Sequence, residues 1–506
     1  MRDLAMTAAT DTEHGLSLNE LGAVLSALSP RLRDAGDGAV RVRGVRQDSR
    51  KVLAGELFVA RPGGKTSGAG FALDAAARGA VALLVQRGEP LPATRLPVLE
   101  IDNAKLGLAL AAEAVYGFPS RAIDVVGVTG TNGKTTTTFL IEQGLTATQA
   151  LPARLGTLGF EMGGHQFGDT LTTPEADDIA RCLLEVKARG GSHLVMEVSS
   201  IAVVQERVSG LRFKAAAFTN LTQDHLDFHG TLEAYGEAKA ALFTRLLPET
   251  SVVHVGDAFG RQLAGRIRSG LLTVARADAD VSVRSSELTA RGIRATVSTP
   301  SGACELTSPL VGEHNLENLL VALGVLIGLG RAPEAAAQAL SQAPQVPGRL
   351  ERCDGPNDDV LVVVDYAHTP DALARVLAAV RKLGQGKVLC VFGCGGDRDP
   401  KKRAPMGEAV GRGADYAFVT SDNPRSEQPQ AIVDAILPGL DAVSAHYQVE
   451  LDRSVAIQEA ILSAAPGDVV LVAGKGHEDY QIIGAEKRHF DDREEARSAL
   501  AKRRAR

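Results

Sequence analysis

The chain has 506 residues, 44% of them hydrophobic and 23% charged, with 53 Gly and no Trp. That length exceeds what one core serves, so about three globular domains of roughly 100–200 residues are expected. A formal net charge of -6 leaves no electrostatic case for a nucleic-acid partner, and no apolar stretch is long enough for membrane insertion.

The amino-terminal stretch has no apolar run of export-signal length. Cys182, Cys304, Cys353, Cys390 and Cys394 are scattered without a metal-ligand rhythm, and their odd number argues against a disulfide framework. A reduced, cytoplasmic protein is the expectation.

Residues 1–102 read as a small α/β module. Val42–Val45 predicts a strand, Phe71–Arg78 an Ala-rich helix and Ala80–Val85 a second strand, with polar loops between. Asp48 and Arg50 fit a surface pair as well as a ligand contact.

Residues 103–346 form the next expected domain. There Val125–Val128 runs into Thr129-Gly130-Thr131-Asn132-Gly133-Lys134-Thr135-Thr136, and a helical pattern follows over Thr137–Gly144. Glycines let backbone N–H groups close on phosphate oxygens, a lysine adds a point charge, and a threonine hydroxyl suits Mg²⁺. Leu194–Met196 ends in Glu197-Val198-Ser199-Ser200, and Ala215–Phe218 ends in a loop carrying Asp224, His225 and Asp227. A helix then presents Tyr235 and Lys239 four residues apart, on one face. Function just past strand carboxyl ends is the rule for open α/β sheets. Taken alone, Glu197 could be a helix N-terminal acid and His225 a hydrogen-bonded loop histidine.

Pro344–Arg349 reads as a joint opening the third domain, residues 347–506. Leu361–Val364, Val388–Phe392, Ala417–Thr420 and Val469–Ala473 each run into charged residues, which predicts a substrate-facing edge. The basic end, Lys502–Arg506, reads as a solvated tail.

Several motifs, in order, make the chain similar to the Mur ligases of peptidoglycan synthesis: Thr129–Thr136, Met196–Ser200, Thr219–Asp227 and Asp365–Asp371. The resemblance runs from about Val42 to Gly484. It implies an α/β fold of three domains: a small N-terminal α/β domain, a central P-loop-type ATPase sheet and a Rossmann-like C-terminal domain. It also implies an ATP- and Mg²⁺-dependent amide ligase that acts as a monomer. In that reaction the D-Glu carboxylate of UDP-N-acetylmuramoyl-L-alanyl-D-glutamate is phosphorylated, and an amino-acid amine attacks the acyl phosphate.

By the same resemblance, Gly130, Thr131, Asn132, Gly133, Lys134, Thr135 and Thr136 bind ATP, with Asn315 on the adenine side. Arg349, Asp365 and His368 reach ATP from the third domain, whose closure would assemble the site. Thr135, Glu197, His225 and Lys239 serve metal, Lys239 matching the lysine that the family carbamylates. The nucleotide-sugar positions are Gln47, Ser49, Gly64, Lys65, Thr66, Thr172, Thr173, Ser199, Gln205 and Arg207. Arg398, Asp422, Asn423, Pro424, Arg425, Gly474 and Glu478 match the contacts to meso-diaminopimelate, where a guanidinium can clasp a distal carboxylate that L-lysine lacks. Ile201, Ser67 and His254–Asp257 depart from the family pattern. A lysine-adding or folate-extending ligase, and a nucleotide switch without ligase activity, are the alternatives.

Overall fold

The computed structural model describes residues 15–33, 37–63, 67–168 and 171–505. The chain divides into two compact units: one holds residues up to 284 with 297–304 and 317–340, the other 285–296, 305–316 and 341–506.

The first unit opens with a small sheet. Strands β1 (Gly44–Arg46), β2 (Glu56–Ala60), β3 (Ala82–Gln86) and β4 (Val98–Ile101) pair in parallel, and Arg31–Leu32 adds an antiparallel edge. Leu83, Leu84 and Val85 are all fully buried, because separate apolar clusters cover the two faces. Such a strand reads as a continuous apolar run, without alternation. Helix α1 (Ala104–Val115) is capped by Asn103, whose side chain accepts from the N–H groups of Lys105 and Leu106.

The central sheet is built on β5 (Asp124–Thr129), which leads directly into helix α2 (Lys134–Ala147). Strand β6 (Pro152–Gly156), helix α3 (Ala176–Ala188), strands β7 (His193–Glu197) and β8 (Phe213–Phe218), helix α4 (Leu232–Thr244), and strands β9 (Thr250–His254) and β10 (Leu271–Ala275) follow. The parallel order is β6-β7-β5-β8-β9-β10. The chain leaves β5 toward β6 and β7 on one side, then crosses to β8 on the other. That reversal opens a crevice at the carboxyl end of β5. Helix α2 begins at Lys134, one turn earlier than the periodicity predicts, because Gly133 at φ +84° ends the loop there.

In the second unit, β11 (Leu361–Asp365), α5 (Pro370–Arg381), β12 (Val388–Phe392), α6 (Arg403–Gly413), β13 (Tyr416–Val419), β14 (Tyr447–Val449), α7 (Arg453–Ser463) and β15 (Val469–Ala473) form a doubly covered parallel sheet. Its order is β11-β15-β12-β13-β14. A hairpin, β16 (Tyr480–Ile483) with β17 (Glu486–His489), and helix α8 (Asp492–Arg504) complete it.

One expectation is overturned here. Lys502–Arg504 of the basic end are not a solvated tail but the last turn of α8. Arg503 pairs with Asp359 at 2.7 Å and donates to the carbonyls of Ile461 and Ala464, while Arg504 pairs with Asp358 at 2.6 Å. Cations at a helix C-terminus also suit the macrodipole.

Glu113 on α1 is buried, accepts one hydrogen bond from Ser120 at 2.7 Å and leaves Oε1 without a partner. Burial raises its carboxyl to about 7. The folded state therefore holds this proton more tightly than the unfolded chain, so stability falls as pH rises from the ordinary carboxyl range through 7. Glu113→Gln should raise the melting temperature at pH 8 with little change at pH 5, the gap corresponding to roughly 2–3 kcal/mol. Melting curves at the two pH values check it.

Candidate active site

The loop between β5 and α2 is fixed by backbone geometry. Gly130 has φ +150°, and a Cβ there would lie 1.8 Å from Thr219 Oγ1. A Cβ on Gly133 would meet Asn318 Oδ1 at 2.3 Å. The segment after β8 straps this loop: Thr131 N donates to Asn220 O at 2.8 Å, Asn132 N to Asn220 Oδ1 at 3.0 Å, and Thr219 Oγ1 to Asn132 O at 2.6 Å. Sequence reading quoted the Thr219–Thr222 motif without seeing that it shapes the cradle.

Two ammonium groups meet on one carbonyl. Lys134 Nζ donates to Gly130 O at 2.9 Å and to Thr131 O at 2.9 Å, and Lys239 Nζ donates to Gly130 O at 2.8 Å. Lys239 is buried over the Tyr235 ring, 4.2 Å from its centroid. Burial, then the nearby Lys134 charge, hold its ammonium well below the ordinary lysine range. Thr136 is buried in the first turn of α2.

Glu197 ends β7 and is buried. Its Oε1 accepts from Thr135 Oγ1 at 3.0 Å and from Thr157 N at 2.8 Å. It caps no helix; the turn that follows is capped by Ser199, which accepts from Ala202 N. The hydroxyl and carboxylate of Thr135 and Glu197 are hard oxygen donors that fit Mg²⁺. His225 stands apart from them, half exposed at φ +51°, with Nε2 3.6 Å from Asp224 Oδ2. Among the described residues, no group of three or more acidic, His or Cys side chains could by itself hold a metal. Of the four expected metal residues, Thr135 and Glu197 are in mutual contact.

A second cluster abuts Glu197. Thr173 Oγ1 donates to Glu197 O at 2.9 Å and lies 3.3 Å from Ser199 Oγ, and Arg207 donates to Thr173 O at 2.9 Å. Thr172 and Thr157 hydroxyls are 3.3 Å apart. Glu175, which sequence reading missed, pairs with Arg207 at 2.8 Å and with Arg61 at 2.9 Å, and Arg61 also donates to Gln47. Nothing in the Thr-Thr-Pro-Glu run signals that role, since it also reads as a helix start. Ser49 is buried beside Asp48, which pairs with the exposed Arg50 at 2.8 Å as a surface pair. Gln205 ends the short helix Ser200–Val204. Gly64, Lys65 and Thr66 lie outside the described residues. Asp257, in the departing His254–Asp257 stretch, caps the next helix and accepts from Leu221 N at 3.0 Å.

In the second unit, the Arg349 guanidinium lies 4.7 Å from the Tyr366 ring centroid, and that ring packs against His368 at 4.6 Å and His477 at 5.1 Å. Asp365 accepts from Leu350 N and Ala367 N, yet desolvation still raises its carboxyl. Burial lowers the His368 imidazole. Asn315 donates to Val311 O at 2.8 Å.

The ends of β12, β13 and β15 gather the remaining residues. Arg425 sits at φ +52° and donates to Gly396 O at 2.7 Å. A Cβ on Gly395 would lie 2.9 Å from Arg425 Nη1 and 3.7 Å from Arg398 Cγ, so glycine there makes room for two guanidinium side chains. Arg398 is exposed. Asn423 donates to Glu478 Oε2 at 3.0 Å. Gly474, at φ +120°, lets the chain turn with Asp422 Oδ2 and Arg453 Nη2 each 3.8 Å from where a Cβ would be. Pro424 O closes on Gly396. Burial raises the Glu478 carboxyl, against the pull of Lys475.

A glycine-shaped loop at a sheet's switch point, with oxygen donors beside it, and in the same chain a rim of arginine and carboxylate side chains suit an ATP-driven ligase. Comparisons with known proteins agree. Residues 41–116 match the Mur ligase family, catalytic domain; residues 128–326 match the Mur ligase middle domain; and residues 348–476 match the Mur ligase, glutamate ligase domain. The UDP-N-acetylmuramoyl-L-alanyl-D-glutamate–2,6-diaminopimelate ligase of Gloeobacter violaceus is 46% identical over 471 residues, covering 92% of this chain and 95% of that protein. A protein of the same name from Geobacter metallireducens is 42% identical, covering 92% and 95%. A solved structure of a ligase of that name superposes with a TM-score of 0.67 at 32% identity, over 97% of this chain and 99% of that one. The MurF ligase of Thermotoga maritima, solved with ADP, shares the fold at a TM-score of 0.61 and 20% identity. The chain belongs to the Mur ligase family. It is an ATP-dependent acid–amino-acid ligase.

Gly130→Ala should clash with Thr219 and distort the cradle, lowering ATP turnover by about 10²-fold. Steady-state ADP release, with circular dichroism to confirm folding, checks it.

Proposed function

We propose that this chain joins meso-diaminopimelate to UDP-N-acetylmuramoyl-L-alanyl-D-glutamate through an acyl phosphate. The observation that carries this reading is the rim at the ends of β12, β13 and β15. There Arg425 and Arg398 flank Gly395, and Glu478 is held by Asn423. A guanidinium pair matches a carboxylate and Glu478 matches an ammonium, so the rim suits the zwitterionic far end of diaminopimelate. L-Lysine offers no carboxylate there. The names of the relatives similar in sequence point the same way.

In this reading Lys134 and Lys239 face the triphosphate from the floor of the cradle, and the first N–H groups of α2 complete it. Thr135 and Glu197 would hold Mg²⁺, with Lys239 joining them once carbamylated and His225 serving a second ion. The metal supplies charge neutralisation on the transferring phosphoryl group. Burial disfavours the Lys239 ammonium, in the direction of the neutral amine that carbamylation requires. Gln47, Ser49, Gly64, Lys65, Thr66, Thr172, Thr173, Ser199, Gln205 and Arg207 would bind the nucleotide-sugar dipeptide. Asn315, Arg349, Asp365 and His368 would bind ATP. The domain limits 1–102, 103–346 and 347–506, a monomeric state and a cytoplasmic location belong to the same proposal.

An amino-acid panel tests it. ADP should form with the muramyl dipeptide nucleotide and meso-diaminopimelate together, and neither L-lysine nor L-glutamate should replace the latter. Comparable turnover with L-lysine would sink the reading. In addition, Arg425→Ala should raise the KM for diaminopimelate by about 10²-fold while the KM for ATP changes by less than about three-fold. Equal losses in both would remove Arg425 from the rim.

A further inference from the structure

Lys475 follows the strained Gly474 and is completely buried. Its Nζ donates to Tyr480 O at 2.7 Å and Asn423 Oδ1 at 3.1 Å, and lies 3.2 Å from Asp422 Oδ1 and 3.6 Å from Glu478 Oε2. One ammonium thus ties the loop after β13 to the loop after β15 and the start of β16. The same knot is tightened by Gln481 donating to Asp422 O at 2.8 Å and Ile482 N donating to Asn423 Oδ1 at 2.9 Å.

Two acids and two buried cations meet here. Arg453, the other buried cation here, is consumed by Asp492 through two contacts of 2.7 Å, and it also donates to Ala473 O at 2.9 Å. Lys475 is the ammonium set directly between the carboxylates of Asp422 and Glu478, with Arg453 and Arg425 acting on them from farther off. Burial and the Asp422 charge both push the Glu478 carboxyl toward protonation, and Lys475 is the largest opposing influence. Without the ammonium, two carboxylates would repel across a desolvated space and lose their fixed arrangement.

We propose that Lys475 is the positioning residue of the amino-acid rim: it holds Asn423 and the carboxylates of Asp422 and Glu478 in one arrangement, so that the rim meets the ammonium of the incoming amino acid with its acids already placed. The inference rests on the diaminopimelate reading above. It concerns a residue that touches no substrate and acts through Glu478 and Asn423.

Lys475→Gln keeps a hydrogen-bond donor and removes the charge. It should raise the KM for diaminopimelate by at least about 30-fold while kcat at saturation falls by less than about five-fold. The KM values for ATP and the muramyl dipeptide nucleotide should stay within about two-fold of wild type. A purely structural role would instead lower kcat and shift all three KM values together, and that result, or an unchanged KM for diaminopimelate, overturns the proposal. Should Lys475→Gln fail to fold, Lys475→Gln combined with Asp422→Asn restores the buried charge balance. That pair should show a diaminopimelate KM at least about ten-fold above Asp422→Asn alone, and equal values overturn the proposal. Absence of diaminopimelate-dependent turnover in the wild type would sink the parent reading; the variant-to-wild-type ratio, also readable as direct diaminopimelate binding by calorimetry, judges Lys475.

Discussion

Two lysine ammonium groups directed at the single carbonyl of Gly130 set the terms for the first unit. Like charges held close in a desolvated place repel, and the repulsion is relieved by a polyanion or by loss of a proton. The loop conformation that creates this arrangement depends on Gly130 and Gly133, whose positive φ values exclude side chains, and on the Thr219–Thr222 strap. The strand order puts that strap next door: β5 lies between β7 and β8, so the cradle, Glu197 and Thr219 emerge side by side. Chemistry here follows from topology.

The second unit solves a different problem with buried charge. Its cradle-free sheet places charged residues after β11, β12, β13 and β15, and two fully buried cations, Arg453 and Lys475, organise them. Breaking one partner of such a pair typically costs about 3–5 kcal/mol, because the survivor stays desolvated. Arg453 is neutralised within the fold, whereas Lys475 is shared between acids that face the rim. The first arrangement anchors α7 to α8. The second ties the loops after β13 and β15 together.

Much of this was legible beforehand. The buried parallel strands announce themselves as short apolar runs, and Val388–Phe392 and Val469–Ala473 appear in the structure with the limits that the sequence suggests. The cradle was legible because glycine spacing encodes a backbone shape. What escaped notice was anything set by contacts between distant segments. Glu175 and Arg61 meet across 114 positions of chain, and Lys475 meets Asn423 across 52. The C-terminal arginines misled because composition suggests a tail, while Asp358, Asp359 and the carbonyls of Ile461 and Ala464 supply a docking place no local pattern reveals.

Arg425 occupies the left-handed region at φ +52°, an uncommon place for a long side chain. Asparagine and glycine rest there more comfortably, so exchange for either would relax the main chain by about 1 kcal/mol even as it discards the guanidinium. Loss of the arginine would thus run conformationally downhill at this one codon. Keeping arginine in place needs continued selection on what the side chain holds, which here includes the carbonyl of Gly396.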